Sequence, residues 1–120
     1  MSNSLAQLSL RVEVSDNYTA QEEILLESAW RIPVRKQETV TISAATFTAL
    51  TPPTGAAAVL IDPGTNISST LKGVTGDTGV KLLPASSPLQ IPILLPLGAS
   101  PSIGILNSHS ASQDYLVYWL

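Results

Sequence analysis

The sequence predicts an all-β protein, an antiparallel β-sandwich of eight or nine short strands. Three observations predict it. Apolar residues alternate with polar ones in short runs, the period of a strand with one buried face. Turn-forming Pro, Gly, Asn and Asp separate these runs at intervals of roughly 8–15 residues. No segment carries a convincing long helical period. Layer rules turn such a pattern into a sandwich or barrel, with a jelly roll expected first and an immunoglobulin-like sandwich second.

The first run is the clearest. Ala6, Leu8, Leu10, Val12 and Val14 alternate with Gln7, Ser9, Arg11 and Glu13, and Asp16-Asn17 ends the strand. Residues 20–27 have a helix-forming composition. Yet Ile24, Leu26, Trp30, Ile32 and Val34 share one parity, and Pro33 would break a helix. A strand over 24–34 is expected, with Pro33 on an edge or at a bulge. Thr39-Val40-Thr41-Ile42 is β-branched throughout. Short strands follow at 47–50, 56–61, 67–72 and 80–83, separated by Pro52-Pro53-Thr54-Gly55, Asp62-Pro63-Gly64 and a loop punctuated by Gly73, Gly76 and Gly79. Leu89, Ile91, Ile93 and Leu95 share a parity while Pro92 and Pro96 take the other, which marks an edge strand. Residues 103–107 and 115–120 complete the set. In the last, Tyr115, Val117 and Trp119 share one face and Leu116, Tyr118 and Leu120 the other, so both faces are expected to be covered.

A length of 120 residues fits one domain able to bury its own core. The 35 Leu, Ile, Val and Phe residues are too many for a chain that cannot collapse. The absence of cysteine removes disulfides, thiolate zinc sites and cysteine nucleophiles. No run of 18 apolar residues exists, so no transmembrane helix is expected, and Met1-Ser2-Asn3-Ser4 shows no secretory signal. A net charge of −3 with six scattered cations makes a poor nucleic-acid binder. Neither nucleic acid nor membrane is therefore an expected partner.

Charged residues are 12% of the chain against about 25% in a typical soluble domain, and 26 Ser and Thr fill the shortfall. The deficit is uneven. Ten of the 15 charges lie between Arg11 and Glu38, residues 39–61 carry none, and Asp114 is alone after Lys81. This divides the chain into a charged N-terminal strand or arm, residues 1–38, packed on a sandwich body, residues 39–120. A body so poor in charge is expected to bury surface against neighbouring chains, since interface cores are depleted in charge.

Chemistry is sparse. Asp77-Thr78-Gly79 matches the aspartic-protease tripeptide, and a homodimer could supply two such carboxylates sharing a proton. The residues flanking it, Thr75-Gly76 and Val80, favour instead a glycine-rich turn in which Asp77 bonds its own backbone. His109, the lone histidine, sits in the polar loop Asn107-Ser108-His109-Ser110 and is expected to be exposed. No two-His spacing exists for a metal, and Asp62 or Asp77 would need further oxygens to hold Ca²⁺. Residues 73–79 lack the Gly-Lys-Ser/Thr of a P-loop. Trp30, Trp119, Tyr18, Tyr115 and Tyr118 could form a sugar-stacking platform, although Trp30 and Trp119 sit at core parity. No catalytic residue, cofactor or metal site is expected, and the chain is read as a non-enzyme.

Five segments carry a likeness: Phe47-Thr48-Ala49-Leu50, Ala58-Val59-Leu60-Ile61, the run Leu71-Lys72-Gly73-Val74-Thr75-Gly76-Asp77-Thr78-Gly79, Ile103-Gly104-Ile105-Leu106-Asn107 and Val117-Tyr118-Trp119. Over residues 40–120 the chain resembles small β-sandwich accessory virion proteins of tailed bacteriophages. The resemblance implies a capsid cement or decoration protein, sometimes a tail or baseplate part. It implies a homotrimer partnered with the major capsid protein and located in the virion. It transfers no catalytic residues. Aromatics anchor interfaces, so Tyr115, Tyr118 and Leu120 are the expected contact residues. The proline-interrupted edge at Leu89, Ile91, Ile93 and Leu95 joins them.

Overall fold

The computed structural model describes residues 5–15, 22–83 and 92–120. These residues are all-β, with ten strands paired antiparallel. They fall into two compact units, Met1–Val34 and Arg35–Leu120.

The first unit is a hairpin of β1 (Leu5–Ser15) and β2 (Glu22–Pro33). Its period-2 patterning is the cause: Ala6, Leu8 and Leu10 lie opposite Ile32, Trp30 and Ser28 on one face. Gln7, Ser9 and Arg11 lie opposite Arg31, Ala29 and Glu27 on the other. A register shift between Val12 and Glu13 interrupts the regular pairing, leaving Leu25 without an opposite residue. Pro33 ends β2 opposite Leu5, at the last pair of the ladder.

The second unit holds β3 (Lys36–Ile42), β4 (Thr46–Ala49), β5 (Ala58–Asp62), β6 (Ser69–Lys72), β7 (Val80–Leu83), β8 (Ile93–Pro96), β9 (Gly104–Asn107) and β10 (Gln113–Trp119). One sheet runs β3-β10-β5-β8 and the other β4-β9-β6-β7. The pairing is nested: β3 with β10, β4 with β9, β5 with β8, and β6 with β7. The eight strands therefore form one long folded ribbon whose successive rungs alternate between the two sheets. β8 sits at an edge beside β5 alone, as Pro92 and Pro96 required. The body begins at Arg35 and not Thr39, because Lys36 and Glu38 belong to β3 and pair with Trp119 and Val117.

The two sheets close on a common core. Ile42, Val59, Ile61, Tyr115, Val117 and Trp119 come from one, Leu82 and Ile105 from the other, and Leu50 and Ile103 from flanking loops. Buried Gly104 leaves no room for a side chain, which would meet Phe47 and lie 2.6 Å from the Thr48 carbonyl oxygen of the adjacent strand. The turn after β5 needs a positive φ at Gly64 (58°), and the Asp62 carboxylate accepts the Gly64 N–H at 2.9 Å to hold it.

Candidate interaction surface

β10 decides which side chains reach the surface. Gln113, Tyr115, Val117 and Trp119 point inward and are buried, while Leu116 and Tyr118 point outward and are half-buried. Their cross-strand neighbours extend the outer face. Tyr118 lies between Gln37 and Leu60, and Leu60 pairs with Leu94. Leu116 lies between Thr39 and Asp62. The result is an apolar strip across three strands: Tyr118 and Leu116, then Leu60, then Leu94, which is 40% exposed. Exposed Pro96 continues it beyond Leu94 on β8. Among the described strand residues, the charged groups on this face are Asp62 and Asp114, at one end, and both are engaged locally. Asp62 caps its own turn, and Asp114 accepts the Thr41 hydroxyl at 2.6 Å. The strip thus presents hydrophobic area with no charge to desolvate, the composition of an interface core.

Beneath this face, one end of the core is held by a buried polar network. Asn107 Nδ2 donates to the carbonyls of Ile42, Ser43 and Ala111 at 2.9, 3.2 and 3.0 Å. Its Oδ1 accepts from the His109 N–H and from Gln113 Nε2, at 2.9 and 2.8 Å. Gln113 also bridges both backbone groups of Ile67, donating to its carbonyl and accepting its N–H. A proton chain runs from Gln113 Nε2 to Tyr115 Oη (3.0 Å), on to Ser69 Oγ (2.5 Å) and from there to the Ile67 carbonyl (3.3 Å). Three loops are tied together in this way without any charged group.

Burial pushes the Tyr115 hydroxyl pKa above its ordinary value of 10.0, outweighing the side-chain hydrogen bonds shared with Ser69 and Gln113 that act to lower it. The folded state therefore holds the neutral phenol. The unfolded chain releases that proton from about pH 10, so the associated stability is present below pH 10 and is lost as pH rises toward the folded value. Urea midpoints measured between neutral and alkaline pH should fall less steeply above about pH 10 for Tyr115→Phe than for the unaltered chain. Parallel profiles would show that Tyr115 does not titrate on unfolding.

The residues expected at an interface divide. Tyr118 is on the outer strip. Tyr115 and Leu120 are not surface residues at all, at 0% and 1% exposure. Tyr115 is drawn inward by its parity with Trp119 and by the Ser69 and Gln113 partners. Leu120 follows β10 into the core, where its N–H donates to Ala58 and its carbonyl accepts from Ala57 and Ala58. Ile93 and Leu95 pack on the core and not outward; it is their partner in alternation, Leu94, that reaches solvent. Leu89, Ile91 and Tyr18 lie outside the described residues. Leu60 and Leu94 were legible only as members of strands; their place on the strip depends on which strands are neighbours.

The other candidates resolve simply. Asp77 Oδ2 accepts the N–H groups of Gly73 and Val74 at 3.1 and 3.0 Å, so this carboxylate closes its own glycine-rich turn. His109 is half-buried and not fully exposed, because its backbone N–H and carbonyl are tied to Asn107 and Ala45. Trp119 is core, as its parity predicted, but Trp30 is 46% exposed, against expectation. The parity of Trp30 is that of an apolar face, yet its own sheet has only two strands among the described residues. The edges of β7 and β8 part over an open cleft of about 650 Å³, lined in part by Leu71, Val80, Leu95 and Leu97. No protein-family model, curated protein or solved structure matches this chain.

Proposed function

We propose that the chain is a non-enzymatic structural protein of a tailed-phage virion, a capsid cement protein that binds the shell as a homotrimer and stabilises it. In this reading the body is a jelly roll, since its nested ribbon alternating between two four-stranded sheets is the arrangement of two Greek keys, a fold used by viral capsid and lectin domains. Fold alone does not carry function. The observation that carries the reading is the uncharged strip of Tyr118, Leu60 and Leu94 on a sheet whose other face is already a core. Seated on neighbouring subunits of the major capsid protein, such a strip adds stability by mass action, because it binds the assembled shell and not its separated parts.

The test is pelleting with capsid shells that lack the protein. The unaltered chain should co-sediment. A Tyr118→Lys, Leu94→Lys variant should lose at least about tenfold in affinity, the effect of removing central anchors of an interface. Failure of the unaltered chain to pellet with shells would overturn the reading. A tail, baseplate or fibre-associated module that stacks on glycans is the alternative, favoured by the exposure of Trp30. It predicts binding to tails or to host glycans in place of shells.

A further inference from the structure

We propose that the N-terminal hairpin is a self-association element: hairpins from separate copies of this chain join edge to edge and enclose their apolar faces. The argument begins with what the hairpin lacks. β1 and β2 form a two-stranded sheet, with no third strand among the described residues. Such a ribbon is marginal in water, and stability needs a third strand or a covering layer. This one is long, 11 and 12 residues, so among the described residues it presents two long unpaired edges as well as an uncovered face. The face is apolar. Leu10 is 49% exposed and Trp30 46%, and Leu8 and Ile32 beside them are half-buried.

Other copies of the hairpin meet both needs together. Arranged about a rotation axis and pointing the same way, each ribbon sets its β2 edge beside the β1 edge of the next copy. These edges run in opposite directions, so antiparallel pairing continues around the ring and the edges disappear as it closes. The curvature turns one face inward. The stretch of this face from Ala6 to Val12, with Ile32, Trp30, Ser28 and Leu26 opposite, carries no charge and can be enclosed without desolvating an ion, while Glu23 joins the same face only beyond the register shift, opposite Val14 near the tip. Arg11, Glu27 and Arg31 stay outside in water, and Arg11 lies directly opposite Glu27. A partner that merely covered the face would leave both edges open.

The area agrees. At about 3.3 Å per residue and about 10 Å of width, the ribbon face measures roughly 350 Å². Two faces fall short of the roughly 1,000 Å² expected of a biological interface, and three reach it. The number three also rests on the functional reading above; association through the hairpin does not.

The absence of cysteine makes the test direct, because any introduced thiol is unique. Leu10→Cys in the full chain should form disulfide-linked dimers in high yield under mild oxidation, seen on a non-reducing gel, since one thiol per chain can join only two copies. Val80→Cys, on a body residue 62% exposed, should stay single. Light scattering should give the unaltered chain a mass that is a multiple of 12.6 kDa. A Leu10→Lys, Trp30→Lys variant should fall to the single-chain mass while keeping the near-ultraviolet dichroism of the body. Equal cross-linking by the two cysteine variants, or an unchanged mass for the lysine variant, would overturn the proposal. If the body variant Leu94→Lys dissociates the assembly and the hairpin variant does not, self-association lies in the body; the oligomeric reading then survives and this inference fails.

Discussion

Replacing Asn107 by alanine is expected to destabilise the body by about 3–5 kcal/mol, a large share of the total for a small domain. The side chain is fully buried and serves five polar groups. Its amide donates to three carbonyls, and its oxygen accepts from His109 and Gln113. Those carbonyls belong to the β3–β4 turn and the β9–β10 loop, so the loss would loosen two connections at once. Each buried group left without a partner costs about 1–3 kcal/mol, and relaxation or entering water recovers part of the sum. Asn107→Asp sharpens the test. It is isosteric but places an acceptor where three carbonyl oxygens converge. It should be at least as damaging as alanine. Thermal unfolding followed by circular dichroism should show midpoints lowered by roughly 10–30 °C for both. An aspartate variant within about 1 kcal/mol of the parent would show that the amide's donors are dispensable.

Trp119→Ala is expected to cost about 3–5 kcal/mol, the range for deleting a large buried aromatic. Trp119 is fully buried and is flanked by Lys36 on β3 and Val59 on β5, so the void would open in the core beneath the centre of its sheet. The contrasting substitution is Trp119→Phe. The indole Nε1 is buried without a hydrogen-bond partner, so the native side chain already carries a desolvation cost that phenylalanine removes. That gain offsets part of the lost volume, and the phenylalanine variant should lie within about 1.5 kcal/mol of the parent. Urea unfolding read by circular dichroism separates the two cases. Equal losses for both would mean that the indole N–H finds a partner in solution.

Single elements show what was readable in advance. Residues 80–83 form a strand with the expected limits, and the prolines at 92 and 96 correctly marked an edge. Asp77 bonds its own turn, as its flanking glycines and threonines suggested. These are local matters, governed by backbone propensity and hydrogen bonds a few residues apart. Tyr115 is the opposite case. Aromatic character suggested a contact residue, but its hydroxyl meets Ser69, 46 residues away, inside the core. Nothing in the neighbourhood of either residue announces the other. The outer strip was hidden for the same reason, since Tyr118, Leu60 and Leu94 become one surface only through two strand pairings.

The sequence by itself determined that this chain is β-structured, where most strands lie and which residues alternate along each of them. Those properties follow from a pleat of period two and from turn chemistry, both local. It also carried the shortage of charge in the body. Only the tertiary structure decided which alternating face is covered. Trp119 and Trp30 carry the same parity signal, yet one is buried under a second sheet and the other stands exposed on a two-stranded ribbon. The pleat sorts side chains into two faces, but burial requires another layer, and that layer is brought by pairings between residues as far apart as Lys36 and Trp119.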